Sequence, residues 1–172
     1  MAAYKVGDYI VHEKSGVCQI VDIQIMEMQG RGSEKEYYCL APYKQTNSQI
    51  FTPVDDPRRL RDIVSKQDAE DFLERVDELE IVDEPNERAR VEICKQMVAT
   101  SDLNQIGSVI KTLYIKKNER LAKGKRMMTQ DERIMNVAVK KLFDELAFAL
   151  ECDTEAVNDR FYASLGLELT EA

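Results

Sequence analysis

Between Tyr4 and Ile63 apolar residues recur with a period near two, and from Ser65 onward they recur every three to four residues. The chain therefore predicts a strand region followed by a helical one. The first region reads YKVGDYIVHEKSGVCQIVDIQIMEM, EYYCLAPY and SQIFTPV, parted by Ser15-Gly16, Gly30-Arg31-Gly32 and Thr46-Asn47-Ser48. These partings are hairpin signals. About five short strands rich in Val, Ile and Tyr predict a small, strongly bent antiparallel sheet of SH3 or Tudor type.

In VDIQIMEM, alternation puts Val21, Ile23 and Ile25 on one face and Gln24, Met26 and Met28 on the other. Methionines beside a polar residue suit a partner-binding surface; packing on a neighbouring domain accounts for them equally well. Phe51, in QIFTP before Pro53, poses the same choice. A proline there fits a strand end or an open sheet edge that another chain can extend.

Pro57 with Arg58, Arg59 and Arg61 closes the strand region, and Ser65 predicts the N-cap of SKQDAEDFLERVDELE. There Phe72, Leu73, Val76 and Leu79 form the inward stripe, while Asp68, Glu70, Asp71 and Glu74 belong to a strongly acidic, solvated side. Pro85 predicts a helix start, with Arg88 and Arg90 nearby and Val91, Cys94, Met97 and Val98 inward. Ser101-Asp102 caps the next helix, whose core stripe is Leu103, Ile106, Val109, Ile110, Leu113 and Tyr114. Lys117 continues that sector and Lys116, Arg120 and Lys123 flank it, so the last turns extend past the core. Gly124 reads as the stop. Thr129 and Glu132 predict a capping box for a helix with Ile134, Val137, Ala138, Leu142, Leu146 and Leu150 inward, and Asp153 caps a last helix through Val157, Phe161 and Leu165. The expected fold is α+β: a small antiparallel β-domain over residues 1–64, then an all-helical domain of about five helices over residues 65–172.

Composition narrows the function. The chain has 172 residues, 44% hydrophobic and 33% charged, long enough for two small domains and too apolar for disorder. No apolar run is long enough for a membrane span and no signal-peptide core opens the sequence, so a soluble cytoplasmic protein is expected. Cys18, Cys39, Cys94 and Cys152 form no CxxC pair and predict buried reduced thiols, not metal ligands. With one histidine, His12, no nucleophile motif and no phosphate-binding loop, nothing points to an enzyme, a cofactor or a small-molecule substrate.

Charge changes the picture at one place. KTLYIKKNERLAKGKR, from Lys111 to Arg126, holds seven of the 24 basic residues against one acid, Glu119, in a chain of net charge −8. It reads either as a polyanion site or as a solvated helix end whose cations complement the dipole.

Two blocks resemble the CarD family of bacterial transcription regulators. VGDYIVHEKSGVCQIVDI, KEYYCL and IFTPVDDPRRLRDIVS resemble the RNA-polymerase-interacting domain shared with the transcription-repair coupling factor. IKTLYIKKNERLAKGKRMMTQDERIMNVAVKKLFDELAFAL resembles the helical C-terminal domain of CarD proteins. The resemblance implies docking on the polymerase β-subunit by strand-edge extension, with contacts at Met26, Met28 and Phe51, where some members use arginines at the first and last. It also implies that the helical domain touches promoter DNA and modulates the open complex, the protein acting as a monomer. Well-known members wedge a tryptophan against the minor groove near the start of the second C-terminal helix. This chain has no Trp, and its corresponding stretch is Pro85 to Arg90. Nonspecific phosphate contacts then fall to Arg88, Arg90, Lys116, Lys117, Arg120, Lys123, Lys125 and Arg126. The competing reading is a pure protein-interaction module on polymerase or another assembly, without DNA contact.

Overall fold

The computed structural model describes residues 3–45 and 47–166; Thr46, expected in a turn, lies outside them. The chain divides into two compact units, Met1–Ile63 and Val64–Ala172.

The first unit is one antiparallel sheet of five strands: β1 (Tyr9–His12), β2 (Gly16–Glu27), β3 (Glu34–Pro42), β4 (Ile50–Pro53) and β5 (Leu60–Asp62), in the spatial order β4-β3-β2-β1-β5. Its core is built from Ile10, Cys18, Ile20, Tyr38, Leu40 and Leu60. On β2 the inward residues are even-numbered up to Ile20 and odd-numbered from Ile23, which packs against that core. A bulge makes the switch: pairing steps from Ile20↔Leu40 to Asp22↔Cys39, leaving Val21 as the extra residue. The lone histidine is structural. His12 is buried, and its Nδ1 accepts from the backbone N–H groups of Lys14 and Ser15, both at 3.3 Å, closing the β1–β2 turn.

The second unit holds five helices: α1 (Lys66–Glu74), α2 (Glu87–Ala99), α3 (Leu103–Ala122), α4 (Thr129–Leu150) and α5 (Thr154–Ser164). Four begin with a side-chain acceptor on a backbone N–H: Ser65 to Asp68, Asn86 to Ala89, Asp102 to Gln105 and Asp153 to Ala156. Pro85 therefore sits one residue ahead of the cap. The capping box expected at Thr129 and Glu132 does not form, because Met128 occupies the cap position without a side-chain bond and Thr129 is already the first helical residue. Val137, expected inward, is half exposed; at 100° per residue it turns away from the side that buries Ala138 and Leu142.

At Gly107, α3 closely approaches α1 and the segment after it. A Cβ on Gly107 would stand 2.8 Å from Leu79 Cδ1 and 2.9 Å from Phe72 Cζ, so the absence of a side chain permits that approach. The acid-rich connector is tied down by polar contacts from α3. Lys111 Nζ donates to the carbonyls of Asp77 and Leu79, both at 2.8 Å, and Thr112 Oγ1 accepts from the Val82 N–H at 2.9 Å. Buried Glu145 accepts from the Val64 N–H at 2.9 Å. Among the described residues no helix is long and apolar enough to cross a membrane.

Candidate functional site

Strand register decides which of the candidate contacts in the first unit lie together. Phe51 stands opposite Cys39, which stands opposite Asp22; Lys35 stands opposite Met26. Cys39 and Lys35 are four residues apart on β3, so Phe51 and Met26 share a sheet face but are offset by about 14 Å along the strands. Both side chains are half-buried, with Tyr37 buried between their rows. Met28 lies past the end of β2, 53% exposed. The three form a discontinuous line instead of one compact patch.

The sheet ends in two edge strands, β4 and β5, and β4 is the edge that carries Phe51. The Val54 N–H donates to the Glu36 carbonyl at 3.0 Å, continuing the ladder in which Thr52 faces Tyr38. Alternation then turns the main-chain N–H and C=O of Phe51, and the carbonyl of Pro53, away from β3 toward the open side. Beside this edge Asp55 pairs with Lys35 at 3.5 Å. Asp56 accepts from Arg58 Nε at 2.9 Å; this bond holds the Asp56 carboxyl below the usual carboxylate range and raises the guanidinium.

A residue that alternation alone did not single out is Ile25, 69% exposed on the β2–β3 hairpin. It lies on the core side of β2, but it pairs with Glu36, outside the core cluster. Its periodicity was that of a buried residue; only the length of β2 relative to the core signals otherwise.

In the second unit the cations gather at the end of α3. The last buried residue of that helix is Tyr114, and from Ile115 to Arg126 every residue is exposed or half-buried. The helix ends as its glycine requires. Gly124 adopts φ +71°, the Gly124 N–H donates to the Leu121 carbonyl at 2.9 Å, and the Lys125 N–H donates to the Arg120 carbonyl at 2.8 Å. Arg120 Nε then donates to the Arg126 carbonyl at 2.7 Å, folding the loop back on the helix end. Lys117, Lys123, Lys125 and Arg126 are exposed, and Lys116 makes only a 3.7 Å surface pair with Glu119, worth about 0–1 kcal/mol. Lys111, part of the same sequence run, is instead spent on the connector carbonyls.

One expected contact residue must be withdrawn. Arg90 is 3% exposed, and its Nη1 and Nη2 donate to Asp131 Oδ1 and Oδ2 at 2.9 and 3.0 Å. The two-pronged bond to Asp131 raises the Arg90 guanidinium, and neither nitrogen faces solvent where a phosphate could reach it. Arg88, two residues earlier on α2, is exposed. Elsewhere, Glu70 on the acidic side of α1 pairs with Arg160 of α5 at 2.7 Å, which holds its carboxyl below the usual range. Among the described residues no group of three His, Cys, Asp or Glu side chains could hold a metal ion.

Residues 4–64 match the family model described as the CarD-like/TRCF RID domain. The match spans the whole five-stranded sheet, about a third of the chain. It supports a CarD/TRCF-type domain and implies an interaction with the β-subunit of RNA polymerase. Met26, Met28, Phe51 and the open edge of β4 all lie inside the RID domain, and the cationic end of α3 lies outside it. No curated protein matches the chain as a relative.

Proposed function

We propose that the protein is a cytoplasmic, monomeric regulator of transcription initiation that docks on the β-subunit through Met26, Met28, Phe51 and the open edge of β4. From there it contacts promoter DNA with the cations of the α3 end and its loop, together with Arg88, and changes the stability of the open complex. The RID match carries the docking half of this reading. The DNA half is supported by six cations between Lys116 and Arg126 on a helix end with no fully buried residue. Such a surface reads phosphates and not bases. A chain of net charge −8 approaches free DNA poorly, but docking on polymerase raises the local concentration of the cations at the promoter, so individually weak contacts suffice. Asn86 and Glu87 stand near the position at which CarD relatives present a tryptophan, and neither side chain can stack on an opened base step.

In a second reading the cationic end meets an acidic protein surface and DNA is not touched. Footprinting polymerase–promoter complexes with and without the protein separates the two. Extended upstream protection and an altered open-complex lifetime are expected. Binding to the β-subunit with protection and lifetime both unchanged would leave the interaction-module reading.

A further inference from the structure

The buried Arg90–Asp131 pair occupies a position that its own stability does not explain. Arg90 is the fourth residue of α2 and Asp131 the third of α4, so both lie in first turns. The cation in the first turn of α2 opposes that helix's dipole, while the Asp131 carboxylate in the first turn of α4 is favoured by its own, so the dipoles add little to the pair. The surroundings are apolar, with Val91, Cys94, Ile134 and Met135 all buried beside the pair in sequence. In such a place an apolar pair of similar volume commonly serves stability as well as an ion pair does. What an apolar pair cannot supply is a fixed angle and register, which the two parallel 2.9 and 3.0 Å bonds impose.

The elements so fixed are those that carry the exposed cations. Arg88 belongs to the same first turn as Arg90, and the loop holding Lys125 and Arg126 runs directly into the first turn of α4. That loop is held at its α3 end by the Gly124 turn and the Arg120–Arg126 bond. At its α4 end Met127 packs against the core and Met128 contributes no cap bond, so Asp131 makes the first polar side-chain bond to another helix. We propose that Arg90 and Asp131 are positioning residues, which hold Arg88 in register with the Lys123–Arg126 loop so that cations from two separate helices meet one phosphate backbone. This rests on the phosphate-binding reading above and makes Arg88 a dependent member of that surface.

The test uses the full-length protein on polymerase–promoter complexes, with the open-complex lifetime followed over a salt series. The replacement Arg90→Met with Asp131→Leu fills the site without leaving a lone buried charge. It is expected to keep the thermal midpoint and β-subunit binding while lowering the salt slope of the promoter effect by about 1, one phosphate contact. Arg88→Gln should lower the slope similarly in the native protein and change nothing further in the replaced background. Should the double replacement lower the midpoint, Arg90→Lys, which keeps the charge and loses the two-pronged contact, gives the same comparison. An unchanged slope, or an Arg88→Gln effect equal in both backgrounds, would make the pair merely structural. Reversal of Lys116, Arg120 and Lys123 to Glu distinguishes the layers: if it weakens the promoter effect while the Arg90 variants leave the salt slope unchanged, positioning fails and phosphate binding stands; if it changes nothing, both fail.

Discussion

Two cations from separate basic stretches are both spent inside the fold. Arg90 and Lys111 both sat near cations in the sequence, yet the first is buried against Asp131 and the second reaches the carbonyls of Asp77 and Leu79. Their partners lie 41 and 34 or 32 residues away, and no helical periodicity encodes a bond over that distance. The cysteines were more legible, because each sat in an apolar pattern. Cys18, Cys39 and Cys94 are buried as expected, and burial pushes all three thiols up, Cys18 to about 11; Cys152, also expected inside, is instead exposed in the turn just past the end of α4. Since the thiolate is the reactive form, iodoacetamide at neutral pH should modify one thiol per native chain, at Cys152. The other three should react only in denaturant, as mass spectrometry of the alkylated peptides would report. Rapid native labelling of Cys18, Cys39 or Cys94 would contradict the packing described.

Whole elements were the most readable level. The two periodicities identified the strand and helical regions, and Ser65, Asp102 and Asp153 cap the helices they were expected to cap. The exceptions have local causes. At α4, Asp131 in the first turn is drawn to Arg90 and the chain enters the helix through an uncapped methionine. On β2, one extra residue inverts the alternation, so a strict two-residue count carried through Val21 assigns faces wrongly on one side of it. The end of α3 depends on backbone more than on side chains. Gly124→Ala has open space for its methyl group but must adopt φ +71°, and should cost about 1 kcal/mol of stability in urea unfolding. At the other candidate surface, Phe51→Asp or Met28→Asp should abolish capture of the protein by immobilised β-subunit and leave the thermal midpoint close to that of the parent. A collapsed midpoint would identify those side chains as core.

At the scale of the molecule, charge is distributed unevenly enough to matter. Glu70 and its acidic neighbours surround α1, while the end of α3 carries six cations in a chain of net charge −8. Converting Lys116, Arg120 and Lys123 to Glu should leave β-subunit binding intact and weaken the promoter effect, with the widest gap from the parent at low salt, where counterion release is worth most. Equal lifetimes of the open complex for both proteins across the salt series would refute a DNA role. The sheet and the cationic end could be anticipated from sequence because each is a local run of residues. Which of the cations stay exposed could not, since that depends on bonds to residues far away in the chain.

The open side of β4 also bears on how the protein behaves when concentrated. An exposed strand edge invites identical copies to stack, which is how sheets seed fibrils. This edge is four residues long, and on its open side Pro53 offers a carbonyl but no N–H. Two copies meeting edge to edge could exchange little more than the paired bonds of Phe51, too few to propagate a fibril. The shortness of β4 thus limits how far copies of the chain can stack on this edge.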